Sequence, residues 1–165
     1  MDPRGIEGAL AHSFLIERIA PGTSRFRLAG MHLADIMGMD VRGMPFSSLF
    51  EPDVRDEVGT RLERVFDAPC ILDLCLDAAR GLGRPALEGR MILLPMRGNG
   101  GADLALGCLA TEGLVGSAPR RFGVTRALQE RILVAGEAGL AEDAAVFTPR
   151  PAGKPYLRLV RNDDE

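Results

Sequence analysis

The chain has 165 residues, of which 46% are hydrophobic and 26% are charged, and its formal net charge is −3. A chain of this length buries about 70% of its unfolded surface and needs no disulfide or metal to stabilise its core. The acidic balance argues against nucleic acid as a partner, because nucleic-acid surfaces need clustered Lys and Arg. No stretch approaches the roughly 18 apolar residues of a membrane span, so the sequence predicts no membrane contact.

Cysteine usage and the start of the chain both favour the cytoplasm. Cys70, Cys75 and Cys108 are an odd number without paired spacing, which is typical of reduced thiols. No basic stretch followed by an apolar segment is visible at the N-terminus, as a secretory signal would require. The sequence therefore predicts a cytoplasmic protein.

The first predicted elements are a short helical turn and a β-hairpin. Residues 13–20 alternate as a strand, and Pro and Gly at 21–22 turn the chain. A second strand follows over 25–29, and its alternation places Phe26 and Leu28 on one face.

Two helices are predicted after the hairpin. Leu33, Ile36 and Met37 have helical spacing, and Gly38 suits the end of that short helix. A longer helix over 52–68 begins with Pro and carboxylates, which complement the helix dipole, and its apolar residues form one stripe.

Three further strands follow, over 70–78, 86–97 and 103–111, and short glycine-containing turns join them into an antiparallel meander. One face of the last strand is predicted to carry Leu104, Leu106, Cys108 and Ala110.

The C-terminal part has a weaker pattern. Residues 121–134 suit either a short helix or a pair of strands. Pro residues make 139–155 a linker, and 156–160 is predicted as a short strand. The predicted organisation is one domain over 1–113 and an extension over 114–165.

The order of these elements is that of a PAS domain, and three segments sharpen the likeness. FRLAG at 26–30, MGMDVRGMPF at 37–46 and MDPRGIEGAL at 1–10 resemble a stand-alone bacterial PAS-like family with an RLAG and glycine-spaced signature. The likeness covers about residues 1–113. Met31 departs from the family pattern, because Thr is common at that position.

The resemblance implies an α+β fold, with a five-stranded antiparallel sheet and helices packed on one face. It also implies a pocket between the helices and the sheet, and a sensory or regulatory role exercised through a partner. A homodimer is the expected assembly, acting on an unidentified signalling protein.

The residues do not suit the cofactors that PAS domains carry. The helix over 52–68 has no His, Tyr or Cys to ligate haem, and no Cys precedes Cys70 to react with a flavin. Cys70 and Cys75 would face opposite sides of a strand, so they cannot bind one metal ion together. We therefore predict no cofactor and no metal.

Catalytic patterns are also missing from the sequence. His32, near Asp35, is more typical of a surface or capping residue than of a pocket contact, and no hydrolase or phosphate-binding motif occurs. We predict no catalytic residues and no enzyme activity. The alternative is a small α+β enzyme, of isomerase or hydrolase type, which would need a buried Asp or Tyr with a perturbed pKa.

A ligand pocket and a filled core both suit the methionine-rich stretch at 31–44, which holds four of the seven methionines. If the pocket exists, its ligand is a small apolar or amphipathic metabolite. Its predicted lining is Phe26, Leu28, His32, Ile36, Met37, Phe46, Leu62, Phe66, Leu74, Leu93 and Leu106.

The sequence thus predicts a PAS-like regulatory module in bacterial signalling, which acts by protein contact and lacks catalytic activity. A further alternative is an adaptor whose tail binds a partner by strand addition at 156–160.

Overall fold

The computed structural model describes residues 3–68, 70–97 and 103–132. Short 3-10 turns at Phe46–Leu49 and Pro52–Val54 precede the third helix. In chain order the helices and strands of these residues are α1 (Pro3–His12), β1 (Ser13–Ala20), β2 (Thr23–Ala29), α2 (Met31–Met37), α3 (Arg55–Asp67), β3 (Cys70–Ala78), β4 (Leu87–Arg97), β5 (Asp103–Gly113) and β6 (Phe122–Arg131).

The strands form one antiparallel sheet in the order β2-β1-β5-β4-β3-β6. The predicted α+β fold is confirmed, but the sheet has six strands rather than five. The segment 121–134 was predicted as a helix or a strand pair, and this is wrong, because β6 is one strand paired along β3 from Ala78 to Cys70. The predicted linker 139–155 and strand 156–160 lie outside the described residues.

Helices α2 and α3 cover one face of the sheet, which we call the inner face. α2 contributes Leu33, Ile36 and Met37 to the core, and α3 contributes the buried stripe that its apolar spacing predicts. Gly38 ends α2 with a φ of 70°, which L-residues rarely adopt. These side chains join those of the strands in one hydrophobic cluster.

The outward position of Leu28 corrects the predicted face of β2. A bulge pairs Leu15 with Leu28 and Ile16 with Phe26, so Arg27 is the extra residue. Phe26 is buried, whereas Leu28 is 58% exposed on the opposite face. The bulge has no signature in the alternation of the sequence, so the prediction placed both residues on the same side.

The inner face of β5 also differs from the prediction. Ala105 and Leu109 point into the core, while Leu106 is 40% exposed on the outer face. Between them lies Gly107, where an added Cβ would overlap the ring of Phe14 and lie 2.9 Å from Leu93. The sheet therefore turns its small residues inward because a Phe ring occupies the space above them.

Strand β6 is fixed to the rest of the fold by two buried residues. Phe122 at its start is fully buried in the core. The guanidinium of Arg120, 1% exposed, donates to the carbonyl oxygens of Val115 at 2.5 Å, Pro85 at 2.8 Å and Ala79 at 3.2 Å. Burial lowers the pKa of Arg120, and the nearby Arg84 lowers it further. One cationic side chain thus joins three segments through their backbones.

Candidate functional site

The space predicted as an apolar cavity is filled by aromatic rings. Phe26 lies edge-on to Phe14 and Phe46, with ring centroids 5.6 Å apart in both pairs. Phe46 in turn contacts Phe50, at 5.2 Å between ring centroids. All four residues are at most 2% exposed. This part of the molecule is therefore a packed core.

The structure divides the predicted pocket residues among four environments. Leu28 and Leu106 are on the outer face, so their assignment to the pocket is wrong. His32 is half-buried beside α1, and half-buried Phe66 lies under the guanidinium of Arg18, 5.1 Å from its ring centroid. The members that the core buries are Phe26, Ile36, Met37, Phe46, Leu62, Leu74 and Leu93.

Two of these buried residues also form the floor of a surface groove beside α3. This groove, called the α3 groove, lies between the hairpin turn at 22–24, the segment 45–47 and one side of α3 from Arg55 to Glu63. Phe46 and Leu62 are among its lining residues, and its volume is about 540 Å³. The predicted pocket corresponds to this groove only through Phe46 and Leu62.

Opposite charges mark the two ends of the α3 side of this groove. Arg55 lies at the first turn of α3, and its Nε donates to the carbonyl of Phe50 at 3.1 Å. Glu63 lies two turns further on and accepts from Arg18 at 3.0 Å. The charged side chains thus sit at fixed places along the groove wall.

Arg18 is the centre of a cluster of three carboxylates at the Glu63 end. It also donates to Asp67 at 2.7 Å and to Asp103. Hydrogen bonds to Asp67 and Asp103 raise the pKa of Arg18 above its ordinary value. Three carboxylates share one guanidinium in this cluster, and Glu63 is the one that lines the groove.

A second candidate is the outer face of the sheet, where apolar side chains follow one another across the strands. Leu28 pairs with Leu15, Leu15 with Leu106, and Leu106 with Leu94. We call the large apolar residues on this face the outer band, and they are Leu15, Leu28, Ile71, Ile92, Leu94, Met96, Leu104, Leu106 and Leu128. A contiguous apolar patch of this kind is typical of an interaction surface.

Ion pairs border the outer band on one side and enter it on the other. Asp73 lies between Ile92 on β4 and Leu128 on β6, accepts from Arg90 at 2.6 Å, and has its pKa lowered by this hydrogen bond. At the opposite border Glu17 meets Arg25 at 3.1 Å and Arg27 at 3.6 Å. An apolar centre with a polar rim is the usual anatomy of a protein interface.

The two histidines of the chain meet where α1, α2 and β5 join. The ring centroids of His12 and His32 are 4.2 Å apart. His12 donates from Nδ1 to the carbonyl of Leu109 at 2.9 Å, and His32 Nε2 shares a hydrogen bond of 2.9 Å with the Thr111 hydroxyl. Burial lowers the pKa of His32, the neighbouring His12 lowers it further, and Asp35 opposes both.

Enzyme chemistry in a cavity would need a buried acid. Among the side chains whose burial the structure describes, Arg120 is the only charged one that is buried, and Tyr156 lies outside the described residues. In the same part of the chain, no three His, Cys, Asp or Glu residues are placed to hold a metal ion. None of the described helices is both long enough and apolar enough to cross a bilayer.

Comparison with known families finds a match to the PAS domain family over residues 1–110. The antiparallel sheet with helices on one face is the α+β architecture expected of this family, and the match covers 110 of the 165 residues. The chain therefore belongs to the PAS domain family, whose members are generally sensory modules without catalytic activity. No curated protein and no solved structure matches the chain.

Sequence reasoning missed both surface features, although one left a signal. The run Met91–Met96 is apolar at every position, which is typical of a strand with apolar residues on both faces. That pattern could have indicated the outer band. The α3 groove had no such signal, because it depends on how the hairpin turn at 22–24 approaches α3.

Proposed function

We propose that this PAS domain is a regulatory module that acts by protein contact rather than by catalysis, and that two copies pair through their outer bands. The outer band is the observation that carries the proposal. Leu28, Ile92 and Leu106 are 58%, 38% and 40% exposed, although neighbouring residues on the same strands are buried. Ile92 and Leu106 lie on central strands, where exposed large apolar side chains that form one patch favour an interaction surface.

The size of the outer face suits a modest dimer interface. The outer band and its charged neighbours together extend about 24 Å across six strands spaced about 4.8 Å apart, and about 21 Å along three rows of side chains about 7 Å apart, which is about 500 Å². Two copies would then bury about 1,000 Å², which is near the lower limit of specific interfaces. A dimer of this size exchanges with its monomer, as suits a regulatory contact.

The state of the cysteines supports the cytoplasm as the compartment in which the module acts. The three cysteines are free thiols, which favours a reducing compartment. A signalling protein that distinguishes the dimer from the monomer is the partner we expect downstream.

The experiment compares two leucines that receive the same charged substitution. Leu106→Arg places a cation at the centre of the outer band, whereas Leu82→Arg changes a fully exposed loop residue, 103% exposed. We expect the wild-type protein and Leu82→Arg to sediment as dimers, and Leu106→Arg to be a monomer at the same concentration. Circular dichroism checks that all three proteins are folded.

Two results would contradict the proposal. A wild-type protein that is monomeric at hundreds of micromolar would exclude pairing through the band. A Leu106→Arg protein that still forms the dimer would show that the interface lies elsewhere.

A further inference from the structure

We infer that the α3 groove binds a small zwitterion with an apolar side chain, best matched by a peptide of two or three residues. Its carboxylate would meet Arg55, and its ammonium would meet the carboxylates around Arg18. The inference gives the proposed regulatory module a ligand, and its test involves no residue of the outer band.

The middle of the groove is open because α3 has a glycine there. Gly59 lies inside a helix, where Gly is about 1 kcal/mol less favourable than Ala. A Cβ added at Gly59 would meet no atom within 4 Å, so the glycine is not needed for close packing. It leaves space above the helix between the two charged ends.

The spacing of the charges fixes the length of the ligand. Arg55 and Glu63 are eight residues apart on α3, which is about 12 Å along the helix axis. Each residue of an extended peptide spans about 3.5 Å, so three residues cover most of this distance. Two or three peptide residues therefore fit between the guanidinium and the carboxylate cluster.

The two ends differ in charge in the sense that a zwitterion requires. The bond from Arg55 Nε to the Phe50 carbonyl orients the guanidinium and leaves its terminal nitrogens to bind a carboxylate. Asp56 also lines this end and opposes an anion, so the ligand's carboxylate has to bind the terminal nitrogens of Arg55 directly. At the other end Glu63 lines the groove and shares Arg18 with Asp67 and Asp103, so its charge is only partly neutralised and attracts an ammonium group.

The floor and rim of the groove suit the rest of such a ligand. Phe46 and Leu62 form an apolar floor on which one side chain can rest. The hydroxyls of Ser24, Ser47 and Thr60 belong to the lining and can bond the peptide amide. A volume of about 540 Å³ accommodates two or three residues and excludes a folded partner.

Leucyl-leucine is the probe, and N-acetyl-leucyl-leucine amide, which lacks both charges, is its control. Isothermal titration calorimetry measures the affinity, and amide NMR shifts locate the contact. We expect leucyl-leucine to bind at least about tenfold more tightly than the capped control, because each charge contributes to the affinity. Shifts should centre on Ser47 and Gly59.

Three substitutions on α3 separate the groove from the rest of the helix. Gly59→Leu should weaken binding at least about tenfold without lowering the melting temperature, because Leu fills the gap and favours a helix. Arg55→Gln should weaken binding by a similar factor. Arg61→Gln is the matched control, since Arg61 pairs with Glu57 outside this groove, and it should leave binding within about twofold.

The inference would be overturned if leucyl-leucine at about 10 mM produced neither heat nor shifts, because the dissociation constant would then be weaker than about 10 mM. Equal binding of the capped control, or unchanged binding by Gly59→Leu, would also overturn it. Sedimentation of the same samples keeps the two proposals apart. A dimer that does not bind leucyl-leucine contradicts the groove alone, and a monomer that binds it contradicts the band alone.

Discussion

The two faces of the sheet are built from the same strands but have different neighbours. On β4, Met91 and Leu93 point inward and are fully buried beneath the helices. Ile92 and Met96 point outward from the same strand and are 38% and 43% exposed. Both sets are apolar, so composition does not distinguish the faces, and only the position of the helices does.

This difference separates what folding needs from what it leaves over. The inner face is closed by α2, α3 and a group of packed Phe rings, and its residues stabilise the chain. The outer face also carries large apolar side chains, set among charged ones, and has no such cover in the described residues. Its side chains are stabilised by burial only when another surface covers them, and our proposal therefore places the protein contact on that face.

Adjacent residues of β4 give the largest expected contrast. Leu93→Ala should lower the free energy of unfolding by about 2–5 kcal/mol, because it removes core contacts and leaves a cavity. Ile92→Ala should cost less than about 1 kcal/mol, since half-exposed side chains lose little burial. Urea unfolding, monitored under conditions where the protein is monomeric, measures both. Equal losses would mean that the outer face is buried in the single chain.

A pair of strand glycines tests how tightly the inner face is packed. Gly107→Ala places a Cβ against the Phe14 ring and should cost about 1–3 kcal/mol through overpacking. Gly89→Ala is the control, because its Cβ would lie 3.4 Å from Leu109 and 3.5 Å from Leu76, in near-ordinary contact. Thermal melts of the two variants compare them. A stabilised Gly107→Ala protein would show that Phe14 has room to move.

Acid should weaken the junction of α1 with the inner layer. The pKa of His32 is below its ordinary value of 6.5 in the folded state, so the unfolded chain takes up this proton first as the pH falls. The contribution of His32 is therefore complete above pH 6.5 and declines as the pH drops below it. Urea midpoints at a series of pH values follow this decline.

The control for that experiment is His32→Gln, which cannot titrate. We expect its stability to change less between neutral and mildly acidic pH than that of the wild-type protein. An identical pH dependence in the two proteins would mean that other groups account for the whole effect.

The smallest effect is expected at the rim of the outer band. Arg90 is an exposed partner of Asp73, and exposed ion pairs add little to stability. Arg90→Gln should leave the melting temperature unchanged, but it should raise the pKa of Asp73 towards its ordinary value. NMR titration of the Asp73 carboxyl measures this shift, and an unchanged pKa would exclude the ion pair in solution.

Local patterns predicted most of the fold because they depend on neighbours in sequence. The strand over 13–20 and the helix that follows Pro52 were found from alternation, a proline and first-turn carboxylates. The faces on which Leu28 and Leu106 lie were predicted wrongly. A bulge in β2 turns Leu28 outward, and the Phe14 ring occupies the inner face of β5 at Gly107, next to Leu106.

The features that the sequence did not predict depend on contacts between residues far apart in the chain. Strand β6 alternates poorly because it is an edge strand with charged residues such as Arg126 and Glu130 on its outer side. Its place in the sheet follows from pairing with β3, about 50 residues earlier in the chain. The predicted pocket is a filled core because Phe14, from β1, contributes a ring to the space behind the methionine-rich stretch.

The contacts of Arg120 show that the folded unit extends beyond the end of the family match. The family match ends at residue 110, yet three backbone oxygens, at Ala79, Pro85 and Val115, depend on a donor ten residues beyond it. A polypeptide cut at the end of the match would lose that donor, the Phe122 ring and β6, one of the two strands that pair with β3. A minimal autonomous version of this domain should therefore extend through β6 rather than end at residue 110.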